Sequence, residues 1–225
     1  MLSLEEILSL NNEAVALFNA YEPLRAFEKL HSSLLGARSL ILQTTPLGIN
    51  HNNPNGSNLL QNGEESPRIQ SEDRNGYFLF LRALAFREPE ERQGSRQALC
   101  VYSAGILFNL AILYHRRWMN DGSSSILDKA AVLYRSILNI LRGNFGSQVD
   151  PTALLLAYVT YNNLVQIELE NGMVENVNQG LSEMTQILDA AELTLLTMLS
   201  EREAEGVFSN VYSATRSSLT TAHAA

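Results

Sequence analysis

Few residues in this 225-residue sequence have the type and spacing that catalysis demands. The four histidines, His31, His51, His115 and His223, lie in separate stretches, and none is joined by a second His or Cys at the helical spacing that sets two metal ligands on one face. Cys100 is the single cysteine, so no internal disulfide can form. Its setting in Ala98-Leu-Cys-Val101 predicts a buried, unreactive thiol. Asp189 and Glu192 are three residues apart on one helix and read as a solvated edge, and Arg142-Gly-Asn-Phe-Gly146 reads as a turn rather than a phosphate cradle. No nucleophile stands beside a base. The reading is therefore of a non-catalytic chain without metal or cofactor.

More informative are asparagines that recur in similar surroundings. Asn12, Asn109 and Asn163 each offer one amide that both donates and accepts, suited to gripping a partner's backbone or to tying one helix to its neighbour's carbonyls. His115, Arg116 and Arg117 close a helical stretch and could meet a carboxylate, or simply form a charged helix end.

The elements that must position these residues are helical. Ser3-Leu-Glu-Glu6 has capping-box spacing, and Leu4, Ile7, Leu8, Val15 and Phe18 follow at helical period, broken by Asn11 and Asn12. Pro23 suits the first turn of a second helix reaching about Leu42, with Leu24, Phe27, Leu34 and Ile41 on its expected buried side. A third helix is predicted from Arg96 to Met119, and a fourth from Ser124 to Leu141 after the Asp121-Gly122 turn. A fifth opens at Asp150-Pro151 and ends near Asn171-Gly172. The sixth, 174–198, carries the cleanest period: Val174, Val177, Leu181, Met184, Leu188, Ala191, Leu195 and Met198. That seam serves either to cover the end of the core or to zip with another molecule.

Between these helices, residues 43–76 are rich in Asn, Gly and Ser and predict a mobile polar loop insertion. Within it Thr45-Pro46 and Ser66-Pro67 could accept phosphate, and Asn55-Gly-Ser57 is a glycosylation sequon relevant only to a secreted protein. Residues 77–86, Tyr-Phe-Leu-Phe-Leu-Arg-Ala-Leu-Ala-Phe, read as a strand. Its expected neighbour in a two-stranded β-ribbon is 206–212, where Val207, Ser209 and Val211 alternate with Phe208, Asn210 and Tyr212. A polar tail, 213–225, is expected to be loosely ordered. The remainder forms one domain, 1–225.

Net charge is −8 with a pI near 5.0, and the 16 basic residues are scattered, which disfavours a nucleic-acid surface. The acidic start, Met1-Leu-Ser-Leu-Glu-Glu6, is unlike an export or transit signal, and the apolar run Ala153–Tyr161 is too short to span a bilayer. The expected location is intracellular, in the cytoplasm or nucleus, away from membranes.

The segments Asn11-Asn-Glu-Ala-Val-Ala-Leu-Phe18, Phe108-Asn-Leu-Ala-Ile-Leu-Tyr-His115 and Asn162-Asn-Leu-Val-Gln-Ile-Glu-Leu169 align without gaps. Their following helices align at Ala26-Leu30-Leu34, Ala130-Tyr134-Leu138 and Val177-Leu181. Over about two thirds of the chain this resembles a degenerate tetratricopeptide repeat, a helix-turn-helix unit of roughly 34 residues. The layout, with its insertion after the first hairpin, looks like that of uncharacterised microalgal proteins of this class.

The fold class expected is all-α, a stack of three antiparallel hairpins in a tetratricopeptide-like solenoid. Such resemblance implies a protein-protein interaction module whose concave groove takes a partner segment. The candidate groove residues are Asn12, Val15, Asn19, Asn109, Ile112, His115, Arg116, Asn163, Gln166 and Glu170. Family members that clamp acidic chaperone tails use Lys and Asn there. The corresponding places here hold Val15, Ile112 and Gln166, so that activity does not transfer. The alternative is a self-associating structural protein, dimerising through the sixth helix or a strand edge.

Overall fold

A computed structural model describes residues 2–43, 59–60, 77–87, 96–142 and 150–222, with side chains as far as Tyr212. Among these residues are seven helices: α1 (Leu4–Asn19), α2 (Pro23–Gln43), α3 (Arg96–Asp121), α4 (Ser124–Arg142), α5 (Pro151–Glu170), α6 (Val174–Leu196) and α7 (Glu201–Ala222). Local chemistry accounts for their ends. Ser3 Oγ accepts from the Glu6 amide at 3.2 Å while the Glu6 carboxylate accepts from the Ser3 amide at 2.6 Å, completing a capping box. Asp150 accepts from the amides of Thr152 and Ala153 ahead of Pro151. Gly172, at φ +67°, turns the chain from α5 into α6 in the left-handed conformation only glycine adopts freely.

Helices α1/α2, α3/α4 and α5/α6 form closely packed antiparallel hairpins. Packing of α2 on α3 and of α4 on α5 stacks them, and α7 closes the end against α6 and α5. This is the all-α hairpin stack that the periodicity predicts. Helix α3 is long and apolar enough to cross a membrane, yet 72% of its apolar window is buried inside the fold. It is the central helix of the core.

Four expectations need correcting or placing. Residues 206–212 belong to α7, so no β-ribbon joins them to 77–86. That segment is extended and is not a ribbon strand; it makes isolated bridges, one of them between Phe86 and Leu60. Leu24 and Phe27 lie on the outside of α2. Its inner face is made instead of Leu30 and the small residues Ala26, Ser33, Gly36 and Ala37, which let α1 approach until Ile7 fills the space a Gly36 side chain would need. The seam of α6 turns inward: Val177, Met184, Leu188 and Leu195 are buried, which leaves mainly Val174 exposed for another molecule, and the helix kinks at Ala191. Cys100 is half-buried rather than enclosed.

Most of the 43–76 insertion lies outside the described residues, including its phosphate-accepting dipeptides and sequon. Leu59 and Leu60 are described, and both are buried. The backbone of α7 runs on to Ala222 through most of the stretch read as a tail, and 223–225 lie outside the described residues.

Candidate functional site: an asparagine ladder around an extended segment

The first helices of the hairpins, α1, α3 and α5, together with α7, line one face of the stack. Along it lies the chain's own segment 77–87. Asn210 on α7, Asn163 on α5, Asn109 on α3 and Asn12 on α1 each grip one residue of that segment through both of its backbone groups. Asn210 Oδ1 accepts from the Phe78 amide at 3.1 Å while its Nδ2 donates to the Phe78 carbonyl at 2.8 Å. The same two-bond pairing joins Asn163 to Phe80 (2.9 and 2.7 Å), Asn109 to Leu84 (2.7 and 2.8 Å) and Asn12 to Phe86 (2.8 and 2.7 Å). A side-chain amide carries one acceptor and two donors, so each asparagine replaces one residue of a neighbouring β-strand.

Two further asparagines brace the ladder. Asn162 donates to the Phe78 carbonyl at 3.0 Å and accepts from Asn210, and Asn11 donates to the Leu84 carbonyl at 3.0 Å and accepts from Asn109. The gripped residues are even-numbered because a strand repeats every two residues. From Phe78 to Phe86 is eight residues, about 26 Å of extended chain at roughly 3.3 Å per residue, which matches three helix-to-helix spacings of about 8–10 Å. The segment therefore runs across the stack in reverse helix order, from α7 to α1.

Side chains fix the register. Gly105 stands one turn before Asn109, and a Cβ there would lie 2.1 Å from the Phe86 ring. Gly206 stands one turn before Asn210, and a Cβ there would lie 2.2 Å from the Phe78 ring. Each ring sits where glycine has removed a side chain. Midway, Arg82 donates to Glu203 at 2.7 Å and to the Met198 carbonyl at 3.0 Å, and Glu203 also caps α7 by accepting from the Ser200 amide. Burial of the segment is nearly complete, with Leu79, Phe80 and Phe86 wholly enclosed.

The structure brings most of the sequence-derived site residues to this face in unequal roles. Asn12, Asn109 and Asn163 make the grip. Arg116 lies over the Phe18 ring at 3.8 Å from its centre and points toward the Leu81 carbonyl; burial lowers its pKa to about 10. His115 is buried between the Tyr134 hydroxyl at Nδ1 (3.3 Å) and Gln166 Oε1 at Nε2 (3.0 Å), rather than against a carboxylate. Since Gln166 Oε1 can only accept, Nε2 carries the proton in this assignment and Nδ1 accepts from Tyr134. Gln166 donates onward to Glu170, and Asn163 donates to the Tyr134 hydroxyl at 3.1 Å. Burial raises the Tyr134 pKa well above its ordinary value.

Val15 and Ile112 are core, whereas Asn19 and Glu170 are exposed. Sequence reasoning missed Asn210, Asn11, Asn162 and the two glycines as site residues. The signal that finds them is the spacing Gly-x-x-x-Asn, present as Gly105-Ile-Leu-Phe-Asn109 and as Gly206-Val-Phe-Ser-Asn210.

Elsewhere a cleft of about 280 Å³ between α4, α5 and α6 is lined by Arg135, Arg142, Tyr161 and Glu168, with Arg135 paired to Glu168 and Arg142 donating to Tyr161. These groups satisfy one another, and no nucleophile faces a base among them. Among the described residues no group of His, Cys, Asp and Glu is arranged to hold a metal ion. In comparisons with known proteins, no protein-family model, no curated protein and no solved structure matches the chain.

Proposed function

We propose that this protein is a non-catalytic interaction module of tetratricopeptide-like build whose concave face reads extended polypeptide by its backbone. The observation that carries this reading is the four-fold repetition of one grip: four asparagines on four helices, each holding the N–H and C=O of a single residue. A packing role asks only that each buried amide be satisfied. Alignment of all four on one strand is how a protein recognises chain direction and register independently of side chains. Residues 77–87 are then a ligand supplied in cis.

Magnitudes decide how such a site could serve a partner. Releasing the segment exposes Phe78, Leu79, Phe80, Leu81, Leu84 and Phe86. At about 1.5–3 kcal/mol each that is roughly 9–18 kcal/mol, as large as the whole stability of a typical domain. An outside segment therefore enters only in exchange, by offering bulky apolar residues at the same four positions. The module is closed until an equivalent strand competes.

The test is binding in trans. A chain in which residues 77–87 are replaced by Gly and Ser should recover helical circular dichroism on adding the synthetic peptide Tyr77–Arg87. A peptide N-methylated at Phe80 and Leu84 should fail. Should the replaced chain aggregate, protease sites placed within 61–76 and 88–95 and cut after folding leave the segment held without covalent bonds, and a labelled peptide should exchange with it. A cut, folded chain that never exchanges refutes the proposal.

A further inference from the structure

The second helices of the hairpins, α2, α4 and α6, carry none of the asparagines that hold segment 77–87, and α2 differs from the other two. The exposed ridge of α4 presents Asp128, Lys129, Arg135 and Asn139 with a lone Val132, and that of α6 presents Glu175, Asn178, Ser182, Gln186 and Asp189, with exposed Leu193 and Leu196 only beyond its kink at Ala191. On α2 the corresponding ridge is Leu24, Glu28, His31, Leu35, Arg38 and Leu42, all exposed and all within a narrow arc because they alternate spacings of four and three. Leu24, Leu35 and Leu42 are 77%, 53% and 68% exposed, with Phe27 at their flank stacked on His31. This is a coiled-coil-like seam without a partner helix among the described residues.

The order of residues along the ridge identifies the partner. Read about its midpoint, the seam is self-complementary: Leu24 matches Leu42, Glu28 matches Arg38, and His31 matches Leu35, each pair equidistant from Ser33. A two-fold axis through that midpoint sets a second copy of α2 antiparallel to the first. Leucines then meet at both ends, and a carboxylate meets a guanidinium twice. A parallel pairing would instead oppose Glu28 to Glu28 and Arg38 to Arg38. Among the described residues neither Glu28 nor Arg38 has an ion-pair partner within its own chain. We infer that α2 is a homodimerisation surface, joining two copies antiparallel through Leu24, Glu28, His31, Leu35, Arg38 and Leu42.

Isologous contacts require this kind of self-matching surface, in which residue i meets j while j meets i. The ridge is about 27 Å long at 1.5 Å per residue, and one helix-on-helix contact of that length buries less than a standard tight interface. The dimer is accordingly reversible and concentration-dependent. Because it uses the exposed ridge of α2, which carries none of the gripping asparagines, it leaves the asparagine-lined face untouched and does not depend on the groove reading.

Sedimentation of the full chain across a wide concentration range tests it. The wild type should shift from monomer to dimer, and Leu35→Glu should remain monomeric. Glu28→Arg should weaken association by about tenfold or more, and Glu28→Arg/Arg38→Glu should restore it. In a Cys100→Ser background, Leu24→Cys mixed with Leu42→Cys should form a disulfide-linked heterodimer, whereas Leu24→Cys alone should not crosslink. The α2 positions are exposed and Cys100 is only half-buried, so unchanged circular dichroism is expected of each variant. A wild type that stays monomeric at its highest soluble concentration overturns the proposal, as does a dimer indifferent to Leu35→Glu or a double charge reversal that fails to rescue.

Discussion

Replacing Asn163 by Ala isolates the backbone grip from the hydrophobic fit. The side chain is fully buried, and its removal takes away the acceptor for the Phe80 amide and the donor to the Phe80 carbonyl, deep in the core where water cannot substitute. Each group left unpaired costs about 1–3 kcal/mol, so the two together imply a loss of roughly 2–6 kcal/mol. The Tyr134 hydroxyl loses a donor as well. Asn12 holds Phe86 by the same two bonds but is only half-buried, so water can partly replace it, and Asn12→Ala should cost clearly less. Urea denaturation of wild type and both variants measures the difference, and amide exchange at Phe80 and Phe86 locates it. The reasoning fails if Asn163→Ala costs under about 0.5 kcal/mol, the size of an ordinary surface change, or if Asn12→Ala costs more.

Gly105→Ala should destabilise by several kcal/mol, since its new methyl would stand 2.1 Å from the Phe86 ring; trimming the ring with Phe86→Leu should recover part of that loss in the double variant, which denaturation of all three proteins would show. Alkaline pH should destabilise the chain. Burial raises the pKa of Tyr102 to about 12, and raises Tyr134 and Tyr158 further still. An unfolded tyrosine releases its proton near pH 10, before the folded one, so this stability is whole below pH 10 and lost as pH rises beyond it. At pH 11 the loss is about 1.4 kcal/mol per tyrosine. Arg116, lowered to about 10, acts in the opposite sense by a similar amount, leaving a net loss of roughly 3 kcal/mol. Denaturation series at pH 9 and 11, with tyrosinate absorbance followed alongside, check both sign and size.

The hairpins were legible because their ends carry explicit chemistry: Ser3 with Glu6, Asp150 with Pro151, and Gly172 at its turn. The aligned asparagines were legible too, although not what they hold. Residues 77–86 read as a strand; they are extended but form no strand among the described residues. Their partner was misassigned because sheet logic supplies backbone to a strand, whereas here the hydrogen bonds come from side chains scattered over four helices, a pattern with no local period. Residues 206–212 alternate well enough to imitate a strand over seven positions. The stronger signal stood just before them, where Ser200-Glu-Arg-Glu203 is a capping box that starts a helix. On α2, Leu24 and Phe27 pointed to the wrong face, although Leu34 does pack on the core, because close contact with α1 selects Ala, Ser and Gly around Leu30.

The reverse course of the buried segment changes what kind of object this solenoid is. In ordinary arrays each unit touches only the next, so ends can fray or be trimmed while the middle persists. Here a single thread stitches the last helix to the first, joining residues as far apart as Phe78 and Asn210. Damage at either end should therefore be felt along the whole length, and the chain is expected to melt as one body rather than unit by unit.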